Sequence, residues 1–73
     1  EQVTLYPNPA EDKIFIKGLT TKAKVTIFSL TGQKVYNGSV VNNGQISLQL
    51  HAGIYLVKIA SDQSTLTKKL VIK

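Results

Sequence analysis

The feature that most constrains this chain is an alternation of apolar and polar residues with a period of two. Residues 45–50 alternate cleanly, while residues 13–17 and 24–30 are rich in β-branched and aromatic residues and stop at Gly18 and at Thr31-Gly32. No stretch repeats apolar residues at the spacing of a helix face. Since successive side chains of a strand point to opposite faces, the sequence predicts an all-β chain.

The spacing of the turn signals indicates how the strands are arranged. Six or seven short strands with turns about every ten residues are typical of a compact sandwich. The chain has 73 residues, without a second domain, linker or repeat. We therefore predict one domain over residues 1–73, a small Ig-like antiparallel β-sandwich.

Alternation also predicts which side chains face the core. Residues 54–59 form the best candidate for a central strand, and Tyr55, Val57 and Ile59 are predicted to point inward because Lys58 must face water. The last strand is predicted over residues 65–72, with Val71 and Lys73 exposed on its other face. The positions predicted to face the core are Ile46, Leu48, Leu50, Tyr55, Val57, Ile59, Leu70 and Ile72.

Glycine and asparagine mark the predicted turns. The tight Thr31-Gly32 spacing predicts a hairpin in which Gly32 takes a positive φ. Asn37-Gly38 and Asn43-Gly44 are each predicted to be turns, which also accounts for the glycosylation-like triplet at residues 37–39. Asp62-Gln63 is predicted to turn the chain into the last strand.

Two prolines restrict the opening segment. Tyr6-Pro7-Asn8-Pro9 is predicted to be a stiff corner. It separates a short edge strand at residues 3–5 from a strand that begins near Asp12.

Few residues could support catalysis. The chain has no Cys and one His, which excludes thiol enzymes, zinc fingers and disulfide frameworks. His51 lies between predicted strands, where a solvated turn residue is the simpler interpretation, and Glu11-Asp12 lacks the carboxylate loop of a calcium site. We expect no enzyme, no metal and no cofactor.

The charge is unbalanced, with nine Lys, no Arg and a formal charge of +5. Nucleic acid is not expected, because Arg supplies the main bidentate contacts and the lysines are dispersed. A weak, salt-sensitive preference for an acidic surface or an anionic lipid headgroup is reasonable. No apolar run is long enough to span a membrane and no leader is present, so an export signal is expected upstream.

Several short motifs say more as a series than singly. They are Leu5-Tyr6-Pro7-Asn8-Pro9-Ala10, Leu30-Thr31-Gly32-Gln33-Lys34-Val35, residues 50–59 with Gly53 and Tyr55, and Lys68-Lys69-Leu70-Val71-Ile72-Lys73. In this order and spacing, the chain resembles the C-terminal sorting domain of the bacterial type IX secretion system. The resemblance covers nearly the whole chain. It departs at Asp62-Gln63, where the family often has Gly, and in using only Lys as the basic residue.

The resemblance implies a non-catalytic signal at the end of a larger cargo protein from a Bacteroidetes-type bacterium. The cargo would pass through the periplasm and then an outer-membrane translocon to the cell surface or medium. A sortase-like protease would cut before or near Glu1 and often join the cargo to an anionic lipopolysaccharide. The implied partners are the type IX outer-membrane components, that protease and the upstream cargo domain in the same chain.

A hypothesis for recognition follows from this resemblance. The last strand and a carboxylate at Lys73 can be captured by strand addition or terminal-group binding. The candidate recognition residues are Lys68, Lys69, Leu70, Val71, Ile72 and Lys73. The motif residues expected to be architectural are Pro7, Asn8, Pro9, Gly32, Gly53 and Tyr55. An open sheet edge is also expected to allow a homodimer.

The alternative hypothesis is an accessory sandwich that binds carbohydrate or protein at the cell surface. Aromatic faces stack on sugar rings, but only when exposed rings lie side by side. Tyr55 is expected in the core, Phe15 and Phe28 are out of phase with the inward positions, and Tyr36 is expected near a hairpin end.

Overall fold

A computed structural model describes residues 3–62 and 64–73 of the chain. This part of the chain contains seven strands and no helix. The strands are β1 (Thr4–Tyr6), β2 (Lys13–Lys17), β3 (Ala23–Ser29), β4 (Lys34–Val40), β5 (Gly44–Ser47), β6 (Gly53–Ala60) and β7 (Thr65–Ile72). The predicted all-β class is confirmed. The predicted cleavage near Glu1 and one half of the predicted Asp62-Gln63 turn lie outside the described residues.

The strands form two antiparallel sheets. One sheet has three strands in the order β1-β2-β5, and the other has four in the order β4-β3-β6-β7. The predicted central strand, β6, pairs with β3 on one side and β7 on the other. The last strand, β7, spans the predicted residues and lies at an edge of its sheet.

The core lies between the two sheets, as the alternation predicted. Its residues come from both sheets, and no polar or charged side chain of the described residues is buried. Seven of the eight positions predicted to face inward are buried, and Leu50 is half-buried against the cluster. Val71, predicted to be exposed, is half-buried.

The predicted turn at Asn37-Gly38 is wrong. Both residues lie inside β4, where Asn37 pairs with Thr26 and Gly38 pairs with Val25. Gly38 faces the core side, and a Cβ there would come within 2.6 Å of the Tyr36 hydroxyl oxygen. The glycine therefore makes room for the tyrosine ring two residues earlier on the same strand, and it does not reverse the chain.

The structure has chain reversals at the other predicted turns. Gly32 has a φ of 92° and its N–H donates to the Ser29 carbonyl at 3.0 Å, which closes the β3–β4 hairpin. Asn43 has a φ of 64° in a turn before β5. In the β6–β7 connection, the Ser61 N–H donates to the Ser64 carbonyl at 2.9 Å.

The predicted corner at residues 6–9 is confirmed as a bend between β1 and β2. The Tyr6–Pro7 and Asn8–Pro9 peptide bonds are both cis. Strand β1 begins and ends one residue later than predicted, so that Tyr6 belongs to the strand.

Candidate functional site at the last strand

The predicted recognition residues lie on β7 and just beyond it, and their side chains point in different directions. Leu70 and Ile72 are buried in the core. Lys69 is exposed and Val71 half-buried on the opposite face of the strand. Lys68 is half-buried on the core side. The last strand therefore combines anchoring residues with residues that solvent can reach.

The N-terminal corner holds the outer edge of this strand. The Asn8 side-chain amide donates to the Lys69 carbonyl at 3.1 Å, and the Val71 N–H donates to the Asn8 Oδ1 at 3.1 Å. Ala10 then forms a parallel bridge to Ile72. The Ala10 N–H donates to the Val71 carbonyl, and the Lys73 N–H donates to the Ala10 carbonyl, both at 2.8 Å. We call Asn8 and Ala10, with these four bonds, the clasp.

The clasp reveals which backbone groups of β7 face away from β6. Backbone groups of Lys69, Val71 and Lys73 bond to the clasp, so the odd-numbered residues point outward. The β6–β7 register continues without a shift to Ala60 and Thr65. Because the direction alternates along an antiparallel strand, the N–H and C=O of Thr65 and Thr67 also point outward. We call residues 69–73 the closed half of the edge and residues 65–68 the open half.

The prolines that flank Asn8 lie beside the end of the chain. Pro7, Pro9 and Lys73 line one shallow depression of about 350 Å³, together with Phe15 and the acidic pair Glu11 and Asp12. Asn8 lines a second depression of about 180 Å³ with Lys68 and Lys69. The structure therefore brings Pro7, Asn8 and Pro9 together with the predicted recognition residues.

The other motif residues lie elsewhere. Gly32 is in the β3–β4 turn, and Gly53 begins β6, paired with Ile72. Tyr55 is buried, and its hydroxyl donates to the His51 carbonyl at 2.7 Å. That bond satisfies the hydroxyl of a buried ring and holds the β5–β6 connection, while the His51 residue is exposed.

Sequence reasoning named Asn8 as an architectural residue of the corner but did not predict its bonds to β7. It missed Asn42, whose Oδ1 accepts from the N–H groups of Gly18 at 2.8 Å and Leu19 at 3.0 Å.

The aromatic rings do not gather into one platform. Tyr6 and Phe15 stack on each other across β1 and β2, with centroids 5.5 Å apart. Phe28 lies on the other sheet, Tyr36 packs against the core and Tyr55 is inside it. This arrangement gives no support to the sugar-binding alternative.

Metal and membrane features can be stated for the described residues. Within residues 3–62 and 64–73, no three His, Cys, Asp or Glu residues form a group that could hold a metal ion. The same part of the chain has no helix long and apolar enough to cross a membrane.

These observations define a class of small antiparallel β-sandwich whose last strand is held by its own N-terminal corner. A comparison with known families is more specific. The family model of the secretion system C-terminal sorting domain matches residues 4–73. The chain belongs to this family, and the domain is a type IX secretion sorting signal. No curated protein matches it.

Membership has direct consequences. A sorting domain of this family is non-catalytic, which applies to these 73 residues. The domain implies interaction with the type IX machinery and export by that system.

Proposed function

We propose that outer-membrane components of the type IX system read β7 and carry the upstream cargo domain from the periplasm to the cell surface or medium. The observation that carries this proposal is the edge position of β7, with one half closed by the clasp and the other half open. An open edge offers a row of backbone donors and acceptors to an incoming strand.

The open half is where a partner strand can add without displacing the clasp, whose bonds go to Lys69, Val71 and Lys73. Outward backbone groups at Thr65 and Thr67 continue the row that the clasp occupies at Lys69 and Val71. The exposed Lys69 side chain adds a charge beside that edge, which favours encounter with an acidic receptor. Leu70 and Ile72 keep the strand docked in the core.

A proline at Thr67 tests this mode of recognition. Thr67→Pro removes an outward N–H, a change that edge strands tolerate, and its ring blocks strand addition. The domain would be fused to a reporter with an N-terminal signal peptide in a type IX-competent bacterium. We expect Thr67→Pro to leave the reporter in the periplasm, although the purified domain stays folded.

The matched control is Thr67→Val, which keeps the N–H and the shape of the side chain. We expect it to export the reporter at close to the original level. Deleting residues 70–73 should also stop export, because this removes the anchoring residues. Export of the folded Thr67→Pro variant at the original level would contradict recognition through the open half.

We also propose that a sortase-like protease removes the domain at the cell surface. Val3 and Leu5 are buried, so β1 is protected by the fold, and the cut that frees the cargo is expected on the N-terminal side of Val3. Mass spectrometry of the released fragment should place the cut before Val3. A cut inside β1 or beyond it would contradict this proposal.

A homodimer through the same open edge is a further part of the proposal. Two copies would pair β7 with β7 at high concentration, and Thr67→Pro would abolish the pairing. Analytical ultracentrifugation should then detect a dimer of the original domain only. A Thr67→Pro protein that dimerises equally well would place the interface elsewhere.

A further inference from the structure

The outer face of the four-stranded sheet, on the side away from the core, concentrates positive charge at one end. Lys58 pairs with Thr26 across β6 and β3, and Lys34 pairs with Phe28 across β4 and β3. Lys24 lies two residues before Thr26 on the same strand, and therefore on the same face. Three lysine side chains thus surround one position of the sheet.

These lysines line one shallow depression of about 270 Å³, with the Thr26 hydroxyl and the Asn37 amide. No carboxylate lines this depression in the described part of the chain. Like charges on neighbouring strands destabilise a sheet, and acidic residues placed among them would remove the repulsion. This arrangement is suited to an external anion, since three ammonium groups face the same space, beside Thr26, whose hydroxyl donates to the Asn37 Oδ1 at 3.4 Å.

The other end of the outer face is mainly apolar, with the exposed Lys69 of β7 beside Leu56. Leu56 pairs with Phe28, and Ile54 pairs with Val71. Leu56 is 38% exposed, Ile54 is 43% exposed, and Leu30, one residue beyond β3, is 65% exposed. A solvated sheet face normally carries polar residues, and neighbouring exposed apolar residues mark a contact surface.

We propose that this outer face docks on an anionic lipid surface. Phosphate headgroups lie among Lys24, Lys34 and Lys58, while Leu56 and Ile54 enter the boundary of the acyl chains. This inference goes beyond the sorting function and does not rest on it.

Two features favour lipid over an acidic protein. The face is a sheet surface with a shallow depression and no deep pocket for an anchoring side chain, which protein hot spots usually fill. Its cations are all lysine, a flexible point charge that reaches a headgroup over an apolar surface and lacks the planar fork that pairs with carboxylates. A flat array of phosphates matches both features.

Vesicle co-sedimentation of the 73-residue domain tests the proposal. We expect binding to phosphatidylcholine vesicles with about 30 mol% phosphatidylglycerol, and at least about tenfold weaker binding to pure phosphatidylcholine. Binding should fall at least about tenfold between roughly 50 and 300 mM salt, because salt screens surface charge.

The charge variant replaces Lys24, Lys34 and Lys58 with Gln. We expect it to weaken binding by roughly a hundredfold, since each lysine near an anionic surface contributes a factor of about five. The control replaces the exposed Lys13 and Lys17 with Gln, which removes two charges from β2, a strand of the other sheet. It should weaken binding by less than about threefold. Lys58→Gln alone should weaken it about fivefold, in case the triple variant unfolds.

The apolar contact has its own pair of variants. Leu56→Thr should weaken binding by at least about threefold, whereas Val41→Thr, at a residue 57% exposed in another part of the fold, should not. Circular dichroism would confirm that each variant is folded. Equal losses in the two members of either pair would overturn the proposal.

Inorganic phosphate and poly-glutamate test whether the outer face prefers a lipid surface over other anions. Inorganic phosphate at millimolar concentration should not displace the domain from vesicles, and displacement would assign the depression to a soluble phosphate. Poly-glutamate should bind more weakly than the anionic vesicles. Binding to poly-glutamate without binding to vesicles would assign the face to an acidic polypeptide and overturn the lipid proposal.

Discussion

The two halves of β7 differ in whether the outward backbone groups of the strand are hydrogen-bonded to another part of the chain. In the closed half, Asn8 and Ala10 take the outward groups of Lys69, Val71 and Lys73. In the open half, those of Thr65 and Thr67 face outward beyond the clasp. An exposed edge is a hazard for aggregation, so a chain that closes one half and leaves the other open limits where a partner strand can add.

The largest expected difference between the halves concerns anchoring. Leu70 is fully buried in the closed half, whereas Leu66 is half-buried in the open half. Leu70→Ala should lower the free energy of unfolding by about 3 kcal/mol, through lost burial and a cavity. Leu66→Ala should lower it by only about 1 kcal/mol. Urea unfolding of both variants measures the difference. Equal losses of stability would contradict the conclusion that Leu70 anchors the strand more strongly than Leu66.

The next effect concerns the clasp itself. Asn8→Ala removes two hydrogen bonds from the outer edge and should lower the free energy of unfolding by about 1 to 2 kcal/mol. Asn8→Asp keeps an acceptor for the Val71 N–H but loses the donor to the Lys69 carbonyl. It should therefore retain part of the stability. If Asn8→Ala unfolds at the same urea concentration as the original protein, the clasp does not stabilise the fold.

The smallest effect is expected in the open half. Thr67→Pro should lower the free energy of unfolding by less than about 1 kcal/mol, because no strand among the described residues pairs with its outward N–H. Val71→Pro should cost more, because it removes the N–H that donates to Asn8. Thermal unfolding of the pair tests the direction of the outward groups. The reverse order would show that the backbone directions are assigned wrongly.

The sequence predicted the fold more completely than the site. Alternation gave the bounds of β7 and the inward positions, because burial on one face imposes a period of two. The turn predicted at Asn37-Gly38 was wrong, because glycine is suited both to turns and to positions of close packing. The contact between Gly38 and the Tyr36 ring, which is visible only in the structure, shows that this glycine serves close packing.

The clasp could not be predicted from local patterns. Asn8 and Val71 are 63 residues apart, and the bond between them depends on how two sheets bring both ends of the chain together. The alternation that places Leu70 inside contains no information about which strand lies at an edge. Pro7, Asn8 and Pro9 were expected to form a corner, and the corner exists, but its role in holding β7 needed the structure.

Amide hydrogen exchange of the isolated domain tests the difference between the halves most directly. The Val71 amide should exchange at least about a hundredfold more slowly than the Thr67 amide, since only the former has a hydrogen-bond partner on the outer edge. Asn8→Ala should remove most of that difference and leave the buried strands protected. Equal exchange at Val71 and Thr67 in the original protein would contradict a closed half and an open half of β7.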